Sequence, residues 1–437
     1  MPYVVPSRPA PPGAPPPGPG RGGRLSRTVR RFAAVVALTT GAALAGPGVA
    51  EAAPAAHAVA EARAAAALER VTSFGANPGG LNMYVYRPAA LPANAPVVVA
   101  LHGCTQSAQV YSDNAGLNTF ADRHGFLVVY AETTAANNAN KCFNWFQPGD
   151  TRRGQGEAAS IRQMVAHAAT AYDTDTGRVQ VTGLSAGGAM TSVMLAAYPD
   201  VFAAGAVVAG IPYGCGTDVV SAFGCMSPGV DRTPAAWAQA VRDAHPGFAG
   251  PWPRVAIWHG DNDATVAPRN ADELRDQWTA VHGLGQTPDR TSTIGPNSTR
   301  RSEYLAADGG ASAVEVNRVP GIGHGTPVDP GSGAEQCGAT GTQHFIDSIC
   351  SGYWITRFFG LDGTTTPEPP VDPPTEPAAC WTANNYEHVR AGRATTTGGQ
   401  VYAKGSGQHL GLYNTFVTHT LKESPAGHYV IADGSCP

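Results

Sequence analysis

The stretch 179–194, VQVTGLSAGGAMTSVM, decides how the rest of the chain is read. Val179 and Val181 belong to a short β-branched run, and Gly183-Leu184-Ser185-Ala186-Gly187 follows at once. Residues 189–197 then carry helix formers up to a stop at Pro199. Strand, sharp turn and helix in this order are the setting of a nucleophile elbow. The serine of such a turn has a strained backbone, and a side chain two residues to either side would collide with the adjoining strand and helix, so glycines stand there. Ser185 is therefore the candidate nucleophile. The helix behind it directs free N–H groups and a partial positive charge at the place where an oxyanion would form. The bare G-x-S-x-G pattern is weak in a glycine-rich chain, and its flanking strand and helix carry the assignment.

Upstream of this stretch, Leu81, Met83 and Val85 alternate with Asn82, Tyr84 and Tyr86, which predicts a half-buried strand. Residues 96–101, PVVVAL, are a continuous apolar run of the kind found in a parallel central strand. A helical segment to Arg123, a strand at 126–130 and a helix over 156–171 lead up to the elbow. Strands at 204–209, 255–258 and 313–319 come after it. Strands alternating with helices predict an α/β fold with a mainly parallel central sheet, its active groups in loops beyond the strands' C-terminal ends.

The 437 residues are 43% hydrophobic and only 14% charged, enough apolar material for one large core and something smaller. A net charge of -4, with no basic stripe, excludes an electrostatic case for nucleic acid. Glycine and proline concentrate at the N-terminus and near residue 370. A Pro/Gly tract opens the chain, arginines cluster over 24–31, and an apolar run over 32–45 precedes small residues at 48–50 and 56–58. This is the pattern of a cleaved secretion signal, and the run is too short for a membrane span. Export agrees with the eight cysteines, none of them in close CxxC pairs, so disulfides are expected rather than zinc. Eight cysteines allow on the order of 100 pairings, which spacing leaves open. Cys215 with Cys225 and Cys337 with Cys350 are near enough to staple loops, and Cys380 and Cys436 bracket the C-terminal segment.

A serine hydroxyl needs a base to take its proton, and the base needs a carboxylate to orient it. The strand at 255–258 runs into His259-Gly260-Asp261-Asn262-Asp263, and the last core strand runs into Gly321-Ile322-Gly323-His324. His324, in a glycine-rich loop after the final strand, is the candidate base. Asp263 and Asp261 are the candidate carboxylates. The order Ser, Asp, His is that of α/β-hydrolases. Oxyanion donors are expected at the backbone N–H of Ala186 and, in the loop after the early strand, of Cys104, whose thiol a bridge to Cys142 would occupy. His102 is expected to be a buried loop anchor.

These residues resemble the extracellular poly(3-hydroxybutyrate) depolymerases and their esterase relatives. The resemblance lies in LHGCTQ at 101–106, CFNWF at 142–146, GEAASIRQM at 156–164, GLSAGGAM at 183–190, WHGDNDATV at 258–266 and GIGHGTPV at 321–328. It implies an α/β-hydrolase with the triad Ser185, Asp263 and His324, an oxyanion hole at Cys104 and Ala186, the type 1 order of motifs, and Trp145 lining the substrate cleft. Asp263 rather than Asp261 follows from this resemblance. No metal or cofactor is implied. The fold also serves feruloyl and acetylxylan esterases, so the triad predicts ester hydrolysis without naming the acid or the alcohol.

The expected organisation is a leader and signal over 1–58, a catalytic domain over 59–360, a Thr/Pro-rich linker over 361–379 and a small module over 380–437. The module resembles the substrate-binding domain of the same depolymerases and is expected to be β-rich and closed by a disulfide, since its core is small. It offers Trp381, Tyr386, Tyr402, Tyr413, Phe416 and Tyr429 as flat faces for an insoluble polymer. The partner expected is therefore an insoluble polyester or, alternatively, a polysaccharide, with no nucleic acid and no membrane, met by a secreted monomer. A binding-only protein is the competing class, and it would have no use for Ser185, Asp263 and His324.

Overall fold

Residues 97–101, Val-Val-Val-Ala-Leu, offer no polar side chain, so a strand built from them must be covered on both faces. The computed structural model, which describes residues 68–363, 380–423 and 427–434, places them in the middle of a 10-stranded sheet. Its strands are β1 (Glu69–Val71), β2 (Asn82–Tyr86), β3 (Ala95–Leu101), β4 (Leu127–Glu132), β5 (Thr174–Leu184), β6 (Ala204–Val208), β7 (Arg254–Gly260), β8 (Arg290–Ile294), β9 (Thr299–Leu305) and β10 (Ser312–Val319). They lie in the order β1-β2-β4-β3-β5-β6-β7-β10-β9-β8. The stretch from β4 to β10 in that order is parallel, and β1 with β2 and β9 with β8 add antiparallel edges. Two short strands, β11 (Thr326–Val328) and β12 (Phe345–Asp347), form a separate parallel pair.

Helices cover both faces: α1 (Ala108–Asn114), α2 (Leu117–His124), α3 (Pro148–Thr151), α4 (Gly156–Ala171), α5 (Ala186–Ala197), α6 (Val219–Met226), α7 (Pro234–Ala244), α8 (Arg269–Val281) and α9 (Ser351–Phe358). The two-residue period of β3 divides the core. Val97, Val99 and Leu101 join Ile161 and Met164 of α4, Met190 and Val193 of α5 and Trp278 of α8. Val98 and Ala100 turn to the opposite side, with Tyr111 of α1, Phe120 of α2 and Ile355 of α9. The single helical segment expected up to Arg123 is in fact two helices. Gly116, at φ 80°, breaks it, and a Cβ there would stand 2.6 Å from the Cys337 side chain.

Strand register is what positions the site. Leu101 pairs with Gly183, Leu184 with Val208, Val208 with Trp258, and Val319 with Gly260. The C-terminal ends of β3, β5, β6, β7 and β10 therefore come out on one edge, and the loops after them, HGC, GLSAG, GDND and GIGH, meet there.

In the C-terminal segment, β13 (Cys380–Asn384), α10 (Asn385–Arg390), β14 (Ala394–Thr397), β15 (Gln400–Ala403), β16 (His409–Leu412), β17 (Thr418–Glu423) and β18 (Tyr429–Ile431) form two antiparallel sheets, β13-β17-β18 and β14-β15-β16. The core between them is Ala394, Val401, Ala403, Leu410 and Leu421. Cys104 is bridged to Cys142, Cys215 to Cys225 and Cys337 to Cys350. Cys380 is also disulfide-bonded. The expected partner Cys436, the signal over 1–58 and the linker beyond residue 363 lie outside the described residues.

Candidate active site

The elbow is built from close approaches that only glycine allows. A Cβ on Gly183 would stand 2.5 Å from the Gly187 carbonyl oxygen and 2.7 Å from that of Leu101, and one on Gly187 would run into the carbonyls of Leu101 and His102. Strand β3, the turn and the start of α5 thus touch through backbone alone. Ser185 sits between them at φ 58° and ψ -116°, a conformation costly for a residue with a side chain. Its N–H donates to the Val208 carbonyl at 2.9 Å and its own carbonyl accepts from Ala189 N at 2.8 Å, which hold the strain in place.

His324 reaches Ser185 from the loop after β10. Its Nε2 lies 2.9 Å from Ser185 Oγ and its Nδ1 2.7 Å from Asp263 Oδ2. A carboxylate oxygen only accepts, so Nδ1 carries the proton and Nε2 is left to accept from the serine. The other Asp263 oxygen, Oδ1, accepts from the N–H groups of Thr265 and Val266, each at 2.9 Å. Burial works to raise the Asp263 carboxyl, but the hydrogen bond and charge of His324, with the Val266 amide and His259, outweigh it and hold the group below the ordinary carboxylate range. His259 stands behind this pair, its Nε2 donating to the Val266 carbonyl at 2.8 Å and lying 3.5 Å from Asp263 Oδ2. Burial pushes His259 down to about 4.

The two candidate carboxylates separate clearly. Asp263 is 4% exposed and engages His324, whereas Asp261 turns outward to Arg300 of β9, with Nη2 to Oδ2 at 2.8 Å.

The Cys104–Cys142 bridge joins the HGC loop to the segment after β4. Within the loop, Gly103 N donates to Gln106 Oε1 at 2.9 Å, and Thr105, at φ 66°, donates to the Asn140 carbonyl at 2.7 Å. Ala186 opens α5 directly beside it. Among the described residues no hydrogen bond engages the backbone N–H of Cys104 or Ala186, so both are available for an oxyanion. His102 is the buried anchor expected: Nδ1 faces the Gly103 carbonyl at 2.7 Å, Nε2 accepts from Thr133 N at 3.2 Å, and burial lowers its basicity. Trp145 follows Cys142 in the same segment, packed edge-on to Phe146 at 5.3 Å and 8% exposed. Neither hydrogen bond nor ring contact links it to the triad among the described residues.

Three further groups escape the sequence. Glu157, at the start of α4, is fully buried and accepts from Asn144 N at 2.7 Å and from the Thr133 hydroxyl at 3.4 Å. His259 carries no signal beyond its place next to GDND. His344 lies in a Gly/Thr/Gln stretch without hydrophobic pattern, yet its ring stands T-shaped to that of His324 at 5.6 Å.

This geometry suits attack by a serine on an ester carbonyl, and comparison with known proteins agrees. The family described as esterase PHB depolymerase matches residues 81–299. The chain is 52% identical over 297 residues to poly(3-hydroxyalkanoate) depolymerase C of Paucimonas lemoignei, covering 68% of this chain and 71% of that protein. It is 39% identical over 265 residues to an acetylxylan esterase of Coprinopsis cinerea, covering 60% of this chain and 69% of the relative. Among solved structures, the acetyl xylan esterase from Aspergillus awamori superimposes with a TM-score of 0.56 at 28% identity, over 68% of this chain and 99% of that one. The chain is an α/β-hydrolase and a carboxylic ester hydrolase, and it belongs to the esterase PHB depolymerase family.

Proposed function

We propose that this protein is a secreted, monomeric serine esterase that cleaves the ester bonds of an insoluble polyester, poly(3-hydroxybutyrate), through an acyl-enzyme. The hydrogen-bonded chain from Ser185 through His324 to Asp263 carries the reading. His324 Nε2 takes the Ser185 proton as Oγ attacks the ester carbonyl, and Asp263 stabilises the imidazolium that forms. The negative charge on the carbonyl oxygen is received by the N–H groups of Cys104 and Ala186. His324 then returns its proton to the departing hydroxyl end of the polymer, and the same groups activate water to release the acyl chain. Trp145 is assigned to the wall of the cleft that holds the chain.

Two observations favour a polymer over a small ester. One relative is a poly(3-hydroxyalkanoate) depolymerase at 52% identity. The C-terminal module also leaves Phe416 90% exposed, beside the exposed Leu412 and the Tyr386–Tyr413 pair, whose rings lie 5.6 Å apart. A surface of that kind suits adsorption to an apolar solid. Disulfides and the leader composition support secretion. The acetylxylan esterase relative supports the second reading, release of acetyl or hydroxycinnamoyl groups from polysaccharide.

One experiment separates them. Full-length protein and a chain ending near Gly360 are compared on soluble butyrate ester, poly(3-hydroxybutyrate) granules and insoluble xylan. The expected result is equal turnover on the soluble ester, far less granule binding and erosion by the shortened chain, sedimentation of the isolated tail with granules, and no acetyl or ferulate release. Tail binding to xylan but not to granules, with acetyl or ferulate released, would establish the polysaccharide reading instead.

A further inference from the structure

The loop that carries His324 is not held by β10 alone. Directly after the histidine, Thr326–Val328 form β11, which pairs in parallel with β12, so that Thr326 is opposite Phe345. The residue entering β12 is His344, at φ 69°, a left-handed conformation uncommon for a residue with a side chain. Its carbonyl accepts from Thr326 N at 2.8 Å, and its Nδ1 lies 3.2 Å from the His324 carbonyl, which can only accept, so Nδ1 is the donor. Gly325 lies flat against this backbone. A Cβ there would stand 2.7 Å from the His344 carbonyl oxygen, so the approach of the two segments is set by the absence of a side chain. The result of these ties is the T-shaped ring pair at 5.6 Å, with an interplanar angle of 74°.

The same loop reaches the opposite side of the site. Gln106, whose Oε1 accepts from Gly103 N beside Cys104, extends its Nε2 to the Gln343 carbonyl at 3.4 Å. The Cys337–Cys350 bridge closes the segment at both ends. Strain at one residue persists only where its surroundings over-determine it, and here the ties through Thr326 and Gly325 lead to the candidate base and the tie through Gln106 leads to the oxyanion loop.

We propose that His344 is a positioning residue for the reaction: its ring restrains the plane of the His324 imidazole and keeps Nε2 aimed at Ser185 Oγ. The proposal rests on the triad reading. An imidazole held by Asp263 alone can still pivot about its Nδ1 hydrogen bond, and a tilt of the ring moves Nε2 away from the serine. A perpendicular neighbouring ring opposes that tilt in the ground state and in the transition state, without touching the substrate. The effect therefore belongs to kcat and not to KM.

The test uses full-length protein and a soluble butyrate ester. His344→Asn keeps the left-handed backbone and a side-chain N–H donor but removes the ring, whereas His344→Phe keeps a ring and removes the donor. We expect His344→Asn to lose about three- to tenfold in kcat, the equivalent of one aromatic pair, with KM within about twofold. Its melting temperature should stay within about 3 °C of the parent. His344→Phe should recover about half of the parent kcat or more. Parent-level kcat in His344→Asn, a change confined to KM, or a His344→Phe no better than His344→Asn would each overturn the proposal. Ser185→Ala is measured alongside: if it remains active, the triad reading fails and the proposal falls with it, whereas an inactive Ser185→Ala with an unaffected His344→Asn removes the proposal alone.

Discussion

Two aspartates two residues apart show how much rests on a single side-chain direction. Asp263 Oδ1 is occupied by two backbone N–H donors, which leaves Oδ2 for His324. In Asp263→Asn the amide oxygen must stay with those donors, so the NH2 group faces His324 Nδ1 and forces the ring proton onto Nε2. That tautomer cannot accept from Ser185. We expect kcat/KM on a p-nitrophenyl ester to fall about 10³–10⁴-fold with the fold intact by circular dichroism. Asp261→Asn breaks only a surface pair with Arg300, for which a change within about twofold is expected. Comparable loss in both variants would refute this division of roles.

At the level of elements, the N-terminal turn of α4 joins the end of β4 to the segment that carries Trp145, through the buried carboxyl of Glu157. Burial raises this group from 4.5 to about 8, offset only in part by the Asn144 amide. A group whose folded pKa is raised contributes stability that is fully present below 4.5 and is lost as the pH rises through about 8. His259 works in the opposite sense. Burial lowers it from 6.5 to about 4, so its contribution is present above 6.5 and lost as the pH falls through about 4. The interval from 6.5 to 8 is therefore where Glu157 is read with least interference. We expect the melting temperature of the parent to decline across it more steeply than that of Glu157→Gln. Parallel profiles would mean that Glu157 is already ionised in the folded protein.

For the molecule as a whole, hydrolysis of a solid requires adsorption as well as chemistry, and the proposed function gives the two to different parts of the chain. Six aromatics of the C-terminal module are candidates for the adsorbing face. Trp381 packs on Tyr429 at 5.8 Å and under Arg393, and Tyr402 tilts against His409 at 5.2 Å. Phe416, Tyr413 and Tyr386 face solvent instead. Phe416→Ser removes an apolar contact worth about 1.5–3 kcal/mol when fully buried, so granule affinity should weaken roughly tenfold or more. Turnover of a soluble ester should be unchanged, because tethering adds local concentration and nothing to the chemical step. Unchanged granule binding by Phe416→Ser would place the adsorbing face elsewhere.

Whatever depends on local physics is written in the amino-acid order. Apolar runs at 97–101 and 255–258 must be buried on both faces, glycines must flank a serine where backbones touch, and a glycine-rich loop after the last core strand carries His324 to the strand ends. Parallel strands in register then bring those loops to one edge, so Ser185, His324 and the HGC loop are legible in the sequence. The edge strands β8 and β9 were not: β8 has no alternation, since Arg290 to Thr293 are all exposed. The remaining features depend on side-chain direction and on contacts distant in sequence, which arise only in the folded chain. Asp261 is drawn off by Arg300, 39 residues away. Cys337 fills the space against Gly116, Glu157 is held by Thr133 and Asn144 from two separate segments, and His344 reaches His324 through a left-handed backbone that no periodicity announces. Hydrophobic pattern encodes which face of an element is buried. It does not encode which polar group at a loop end will meet which, because that is settled only when distant strands fall into register.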